Sequence, residues 1–298
     1  MRKILPIGRV RNRNRRNDGK SQICRKLIPS VDGRRYAGRT NREGLGPVSG
    51  AKDIKMNIDQ RQEQRFTELN ELEWKPVFSD SGKNDWNDRW FLDGERAIIR
   101  NTTDGMVFSA GPVYNDHASH GVLWTKDVFS GEVKIEFDYT RLDTIQKCVN
   151  IIYILATGTG DGPYKKDIAE WSSLRAIPYM RSYFENMNLL HISFAAYGDV
   201  EKDYVRVRRY PIKPNLPFDK IAVPPDYFGT GLFDPGITYH FTIIKKGHEL
   251  LMKVEGAGRT GLFAWFTSSF PPVEEGRIGL RHMFTRCARY KDITISIL

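Results

Sequence analysis

The sequence predicts an all-β chain, an antiparallel two-sheet sandwich or jelly roll, and three observations point there. About a dozen short runs alternate apolar and polar residues, each ended by Gly, Asp, Asn or Pro. Strand–helix–strand alternation is absent, which argues against a parallel sheet with crossover helices. Once a basic N-terminal stretch is set aside, about 240 residues remain, an ordinary length for one large β domain.

That stretch, residues 1–55, holds 16 Lys and Arg against 4 Asp and Glu, while residues 56–298 hold 30 against 32. Of the 35 aromatic residues only Tyr36 lies in it. So basic and apolar-poor a segment is expected to stay unfolded, separate from a single domain over 56–298. Three readings of it stay open: a mis-assigned start with translation from Met56, an arm for nucleic acid or a membrane surface, and a solvated tail. The near-neutral body is not expected to bind nucleic acid. Residues 1–6 offer only Ile4 and Leu5 toward a secretory signal, and no run nears the ~20 apolar residues of a membrane helix. A cytoplasmic protein without a membrane partner is therefore expected. Cys24, Cys148 and Cys287 lack metal-ligand spacing and suit a reduced compartment as small hydrophobes.

Taken in order, residues 56–73 read as a short polar helix or extended lead-in. Strands are expected at 96–100, 105–110, 121–126, 133–140, 148–156, 189–196, 203–210, 237–244, 249–255, 262–267, 277–281 and 291–297. In 133–140, Val133, Ile135, Phe137 and Tyr139 share one face and Lys134, Glu136, Asp138 and Thr140 the other. Residues 237–244 alternate likewise, and the turn Lys245-Lys-Gly-His248 leads into Leu250, Met252 and Val254 as a hairpin. Residues 167–174 alone look helical, for about two turns.

Three segments carry a resemblance. They are Trp86-Asn-Asp-Arg-Trp-Phe-Leu-Asp-Gly94, His120-Gly-Val-Leu-Trp-Thr-Lys126 followed by 133–143, and Gly276-Arg-Ile-Gly-Leu-Arg-His-Met283 with Ala288-Arg-Tyr-Lys-Asp-Ile-Thr294. Over roughly residues 74–298 the chain resembles a bacterial family of concanavalin A-like proteins typified by the Bacillus YesU protein. More distantly it resembles sandwich hydrolases of oxidised glucosides. The resemblance implies a lectin/glucanase sandwich and a link to breakdown of plant or algal polysaccharide, but transfers no catalytic residue.

The site is therefore read from the residues. One sheet of such a sandwich is expected to be concave, with polar and aromatic residues facing a glycan. Strands 190–197 and 204–210 fit, with Leu190, Ile192, Phe194, Val205 and Val207 inward. His191, Ser193, Ala195, Tyr197, Tyr204, Arg206, Arg208 and Tyr210 then face outward. Residue numbers of partners summing to about 401 place Tyr197 opposite Tyr204, Ala195 opposite Arg206, Ser193 opposite Arg208 and His191 opposite Tyr210. An anionic sugar suits two arginines beside a His–Tyr pair, although a solvated sheet face explains them too. His117 and His120 beside Trp124 and Lys126 read as a proton-transfer group with a stacking platform, or as loop histidines. Arg281 is expected beside a face thinned by Gly279, with His282 leaving the strand and Arg286 in the following loop. Tyr183, Glu185 and Asn186 form a candidate rim or lid.

Glu136 and Asp138 are the one carboxylate pair on a strand face, about 6.6 Å apart along the strand. Laminarinase-like sandwiches continue to a further Glu where this chain has Thr140 and Arg141, so a solvent-facing charged strand competes with a hydrolase pair. Three functions remain. One is a polysaccharide lyase on a uronic-acid glycan, with His191, Tyr210 or His120 moving protons and Arg208 or Arg281 neutralising the carboxylate. The others are a glycoside hydrolase using Glu136, Asp138 or Glu185, and a non-catalytic carbohydrate-binding protein. No cofactor is expected, with a structural calcium left open. Nucleophile elbows, phosphate loops and dinucleotide fingerprints are absent.

A chain beginning at Met56 is expected to melt at the same temperature as the full chain. Thermal unfolding of both checks this, and a marked loss of stability or solubility on truncation would show the basic stretch packing on the body.

Overall fold

The computed structural model describes residues 58–197 and 203–298. The basic stretch 1–55, with Cys24, and the connection 198–202 lie outside the described residues. After helix α1 (Ile58–Asn70), the first strands are β1 (Lys75–Asp80), β2 (Trp90–Asp93), β3 (Ile98–Thr102) and β4 (Gly105–Ser109). Next come β5 (Gly121–Thr125), β6 (Phe129–Ser130), β7 (Val133–Arg141) and β8 (Cys148–Gly158). Helix α2 (Met180–Asn186) precedes β9 (Met187–Tyr197), β10 (Asp203–Tyr210), β11 (Ala222–Phe228) and β12 (Thr238–Lys246). The chain closes with β13 (Glu249–Gly256), β14 (Arg259–Phe266), β15 (Glu275–His282) and β16 (Cys287–Ile297).

Two antiparallel sheets result. The first runs β14-β13-β12-β7-β16-β4-β3 with β1 added on β16, and the second runs β11-β10-β9-β8-β15-β5-β2 with β6 added on β15. The expected β12–β13 hairpin forms, with Lys246 opposite Glu249. Strands not anticipated are short or irregular. β2 and β11 are edges, and Pro224 and Pro225 in β11 are tolerated there because an edge strand has one side without ladder bonds. The expected two-turn helix is a 3-10 segment, Ile168–Arg175, kinked at Trp171.

Alternation sorts the side chains into layers. Between the sheets lie Ile135, Phe137, Tyr139, Phe241, Ile243 and Met252 from the first sheet against Ile152, Ile154, Ile192, Phe194, Val207 and Leu280 from the second. Phe137 and Phe241, cross-strand partners, stack with ring centres 4.7 Å apart. Helix α1 covers part of the first sheet's outer side, laying Phe66 and Leu69 on Ile244 and Leu251. The second sheet's outer side is also covered, and that cover shapes the site.

Phe241→Ala is expected to cost about 3–5 kcal/mol, because it removes a ring packed on Phe137 and Phe194 and leaves a cavity. Urea unfolding with an unchanged slope would check this. A loss under about 1 kcal/mol would mean the sandwich closes around the gap.

Candidate functional site

Ladder register arranges the second sheet's outer face into rows. One reads Arg208, His191, Tyr153, Gly279, Trp124, Phe91, and the next reads Arg206, Ser193, Ile151, Arg281, Val122, Asp93. His191 and Tyr210 meet as expected, Nδ1 to hydroxyl at 2.7 Å, while Nε2 of His191 meets Ser193 Oγ at 2.7 Å. The pairing differs by a slip, however. A bulge between Tyr204 and Arg206 brings the sums to 399, so Arg206 faces Ser193, Arg208 faces His191 and Tyr210 faces Leu189. A bulge inserts one residue and inverts alternation beyond it. Ala195, at φ 43°, therefore joins the core between the sheets, and Ala196 moves outward opposite Tyr204. Tyr197 turns away from the expected face, its hydroxyl 2.7 Å from Arg141 Nη1.

The larger difference is a roof. The segment 159–186, with the 3-10 turn and α2, and the turn Phe218–Ile221 lie over this face. Ile168, Trp171, Tyr183 and Ile221 pack onto Val122, Trp124, Ile151, Tyr153, Leu189 and Tyr210. Trp124 is no exposed platform, since it is fully buried and donates from Nε1 to Asp93 Oδ2 at 2.8 Å. Gly279 does not open space for a ligand either. It makes room for the indole, because a Cβ there would lie 2.4 Å from a Trp124 ring carbon.

Asp93 ties the roof down. Its carboxylate takes Arg175 Nε at 2.6 Å and Nη2 at 3.3 Å, Trp124 Nε1, and the Tyr183 hydroxyl at 2.9 Å. Arg175 and Asp93 side chains are both 0 % exposed. A second tie joins the start of the 3-10 turn to β15, where Asp167 receives Nε and Nη2 of Arg277 at 2.9–3.0 Å. Sequence reasoning passed over Asp93, Arg175 and Tyr153; the signal for Asp93 was its place in the Trp86–Gly94 run.

Arg281 and His120 also meet. Arg281 Nη2 donates to His120 Nδ1 at 2.8 Å and to the Pro178 carbonyl at 2.6 Å. A guanidinium only donates, so neutral His120 carries its proton on Nε2. Burial, then the Arg281 charge, pushes His120 down to about 2. Burial, then Arg208, holds His191 well below the ordinary range. His282 faces the other way, stacked on Phe108 at 4.2 Å with Nε2 2.9 Å from the Tyr290 hydroxyl, and burial pushes it down to about 3.

The remaining candidates are scattered. Arg206 pairs with Asp226 at 2.6 Å and lies over the Tyr204 ring, while Arg208 lies over Phe218. Lys126 is exposed and donates to the Asn87 carbonyl. Arg286, in the loop after β15, is fully buried and meets Asp143 at 3.0 Å. Glu136 and Asp138 sit on the first sheet's outer side, paired with Lys134 at 3.3 Å and His240 at 2.9 Å, across the sandwich from His191. Among the described residues no three His, Cys, Asp or Glu side chains gather as a metal ion would need. No helix among them is long and apolar enough to cross a membrane.

Open space lies at the roof's edge. Two adjoining recesses of about 350 and 330 Å³ share Thr157, Lys166 and Glu275. Thr159, Asn188 and Glu274 line one, and Asp167, Glu170 and Arg277 line the other. Lys166 and Glu275 form an ion pair where the recesses join.

No protein-family model matches the chain, and no curated protein sequence does. Among solved structures it is similar to a Bacillus subtilis protein of unknown function with a galectin-like fold, at 17% identity and a TM-score of 0.54, covering 75% of this chain and 97% of that one. A carbohydrate-binding module of the CBM66 class from Bacillus subtilis is 12% identical, with a TM-score of 0.41 over 70% of this chain and 95% of its own. Basic winged bean lectin in complex with Tn-antigen is 10% identical, with a TM-score of 0.48 over 74% and 98%. The first likeness shows the fold, a galectin-like antiparallel sandwich.

His120, His191 and His282 are kept neutral in the fold and regain a pKa near 6.5 on unfolding. The unfolded chain therefore binds protons first as pH falls. Their contribution is full above about pH 6.5 and is lost below it, approaching about 4 kcal/mol per pH unit for three protons. Urea midpoints between about pH 7 and pH 5 are expected to show this slope. A slope of under one proton would mean these imidazoles are not enclosed.

Proposed function

We propose that this protein binds a carbohydrate, seated in the open groove formed by the two recesses at the roof's edge. The observation that carries this reading is the groove's lining. Thr157, Thr159, Asn188, Glu274 and Glu275 place hydroxyl, amide and carboxylate groups side by side in a space of ligand-site size. Sugar hydroxyls both donate and accept, and such a mixture meets them on both counts. The sandwich fold and the resemblance of the Trp86–Gly94, His120–Lys126 and Gly276–Met283 segments to the YesU family support the same class of ligand.

A second reading, β-elimination on a uronic-acid glycan, is favoured by the His191–Tyr210 hydrogen bond with Arg208 opposite His191. In that mechanism one of the pair removes the C5 proton, the other protonates the leaving oxygen, and an arginine neutralises the sugar carboxylate. It requires the roof to lift, because His191 and Tyr210 are 2% and 0% exposed. A glycoside hydrolase using Glu136 and Asp138 has less support, since Glu136 pairs with Lys134 and Asp138 is hydrogen-bonded to His240, both outside the groove.

Calorimetry and ultraviolet absorbance on a panel of neutral and uronic oligosaccharides separate the readings. Under the first, a glycan binds without cleavage, and Asn188→Ala or Glu275→Gln weakens it by about tenfold each, the scale of one hydrogen bond to a charged or polar partner. Under the second, an unsaturated product absorbs, and Tyr210→Phe slows its formation by about 10²-fold or more with the fold intact. Absence of binding to every glycan on the panel would count against both.

A further inference from the structure

The roofed layer contains a positive charge with no acid to meet it. Arg281 is fully buried; its Nη2 is occupied by His120 and Pro178, while its Nε and Nη1 have no partner. The Tyr153 hydroxyl, fully buried, lies close enough to the Arg281 guanidinium to interact with it but finds no acceptor for its own proton, and fully buried His120 Nε2 has no partner. With Nδ1 accepting from Arg281, His120 Nε2 is a donor, so this layer holds three residues with unmet N–H or O–H groups. Arg208 Nε, beside His191, is a further unmet donor. Carboxylates do not supply the lack. Among the described residues the buried carboxylates are those of Asp80, Asp93 and Asp143, the last taken up by Arg141 and Arg286. Asp80 serves Gly82 and Trp90, and Asp93 serves Arg175, Trp124 and Tyr183. The Tyr183 ring, 4.5 Å from the guanidinium carbon, softens the charge but accepts no full hydrogen bond.

Buried donors are almost always satisfied, and an unpaired buried guanidinium is among the costliest exceptions. From this we infer that the layer beneath the roof is an anion site, in which a carboxylate seats against Arg281 with the Tyr153 hydroxyl and His120 Nε2 as further donors. A carboxylate offers two oxygens with about four acceptor positions, matching several donors at once. It comes either from a uronic sugar or from a free small acid. The inference is independent of the groove reading, and it shares with the elimination reading the demand for an acidic group and an arginine that meets it.

Thermal unfolding of the full chain tests it, with sodium glucuronate, sodium acetate and glucose as probes and sodium chloride holding ionic strength constant. Glucuronate at about ten times its dissociation constant is expected to raise the midpoint by about 3–6 °C, and glucose is expected to leave it unchanged. A larger shift with glucuronate than with acetate assigns the site to a sugar acid, and equal shifts assign it to a free carboxylate; both support an anion site. Arg281→Met is expected to abolish the shift. Should that variant fail to fold, Tyr153→Phe and Arg281→Lys replace it, each reducing the shift. Asn188→Ala and Glu275→Gln lie in the groove and are expected to leave it intact. No shift in the wild-type chain, an equal shift in Arg281→Met or its replacements, or loss of the shift in the groove variants would overturn the anion site.

Discussion

The Asp93 carboxylate is the point on which the second sheet's outer side depends. It sits at the end of an edge strand, wholly out of water, and gathers Arg175 from the roof's 3-10 turn, Tyr183 from α2 and Trp124 from the sheet itself. A buried ion pair gains little over apolar packing while intact, but losing one partner strands the other's charge at a cost of about 3–5 kcal/mol. Asp93 thus acts through position: it specifies where two separate roof elements come down. The bidentate Asp167–Arg277 pair holds the other end of the same turn.

Once the roof is down, the chemistry beneath it changes character. The histidines that a bare sheet would present to solvent become neutral, enclosed groups, because burial penalises the imidazolium before any neighbouring charge acts. Arginines are different, since a guanidinium stays charged and must find acceptors. Arg175 finds Asp93, Arg206 finds Asp226 and Arg277 finds Asp167. Arg281 finds a histidine nitrogen and a carbonyl, both uncharged, and this imbalance sets it apart from Arg175, Arg206 and Arg277.

The roof also divides the surface available to a ligand. Its edge leaves the polar groove between Thr157–Gly160 and Glu274–Arg277 open, while the rows through His191 and Arg281 are closed. The same Arg277 that anchors the turn lines the groove, so the roof's tie and the groove wall share one side chain.

Alternation along the strands was enough to specify the sandwich, because a period of two places Val133, Ile135, Phe137 and Tyr139 on one face whatever the partner strand. It likewise put His191 and Tyr210 on a common face, and that relation survives a register slip of two, which preserves parity. Parity fails at Tyr197, because a one-residue bulge at Ala195 is a backbone event with no signature in apolar patterning. Nor does patterning distinguish a polar face open to water from one covered by the chain's own irregular segment, since both read as polar and aromatic residues between apolar ones. The sequence by itself thus determined the layers and the faces. Only the tertiary structure decided that Trp124, Arg281 and His120 are buried, because their solvent is displaced by a segment distant in sequence, held there by the Asp93 and Asp167 carboxylates.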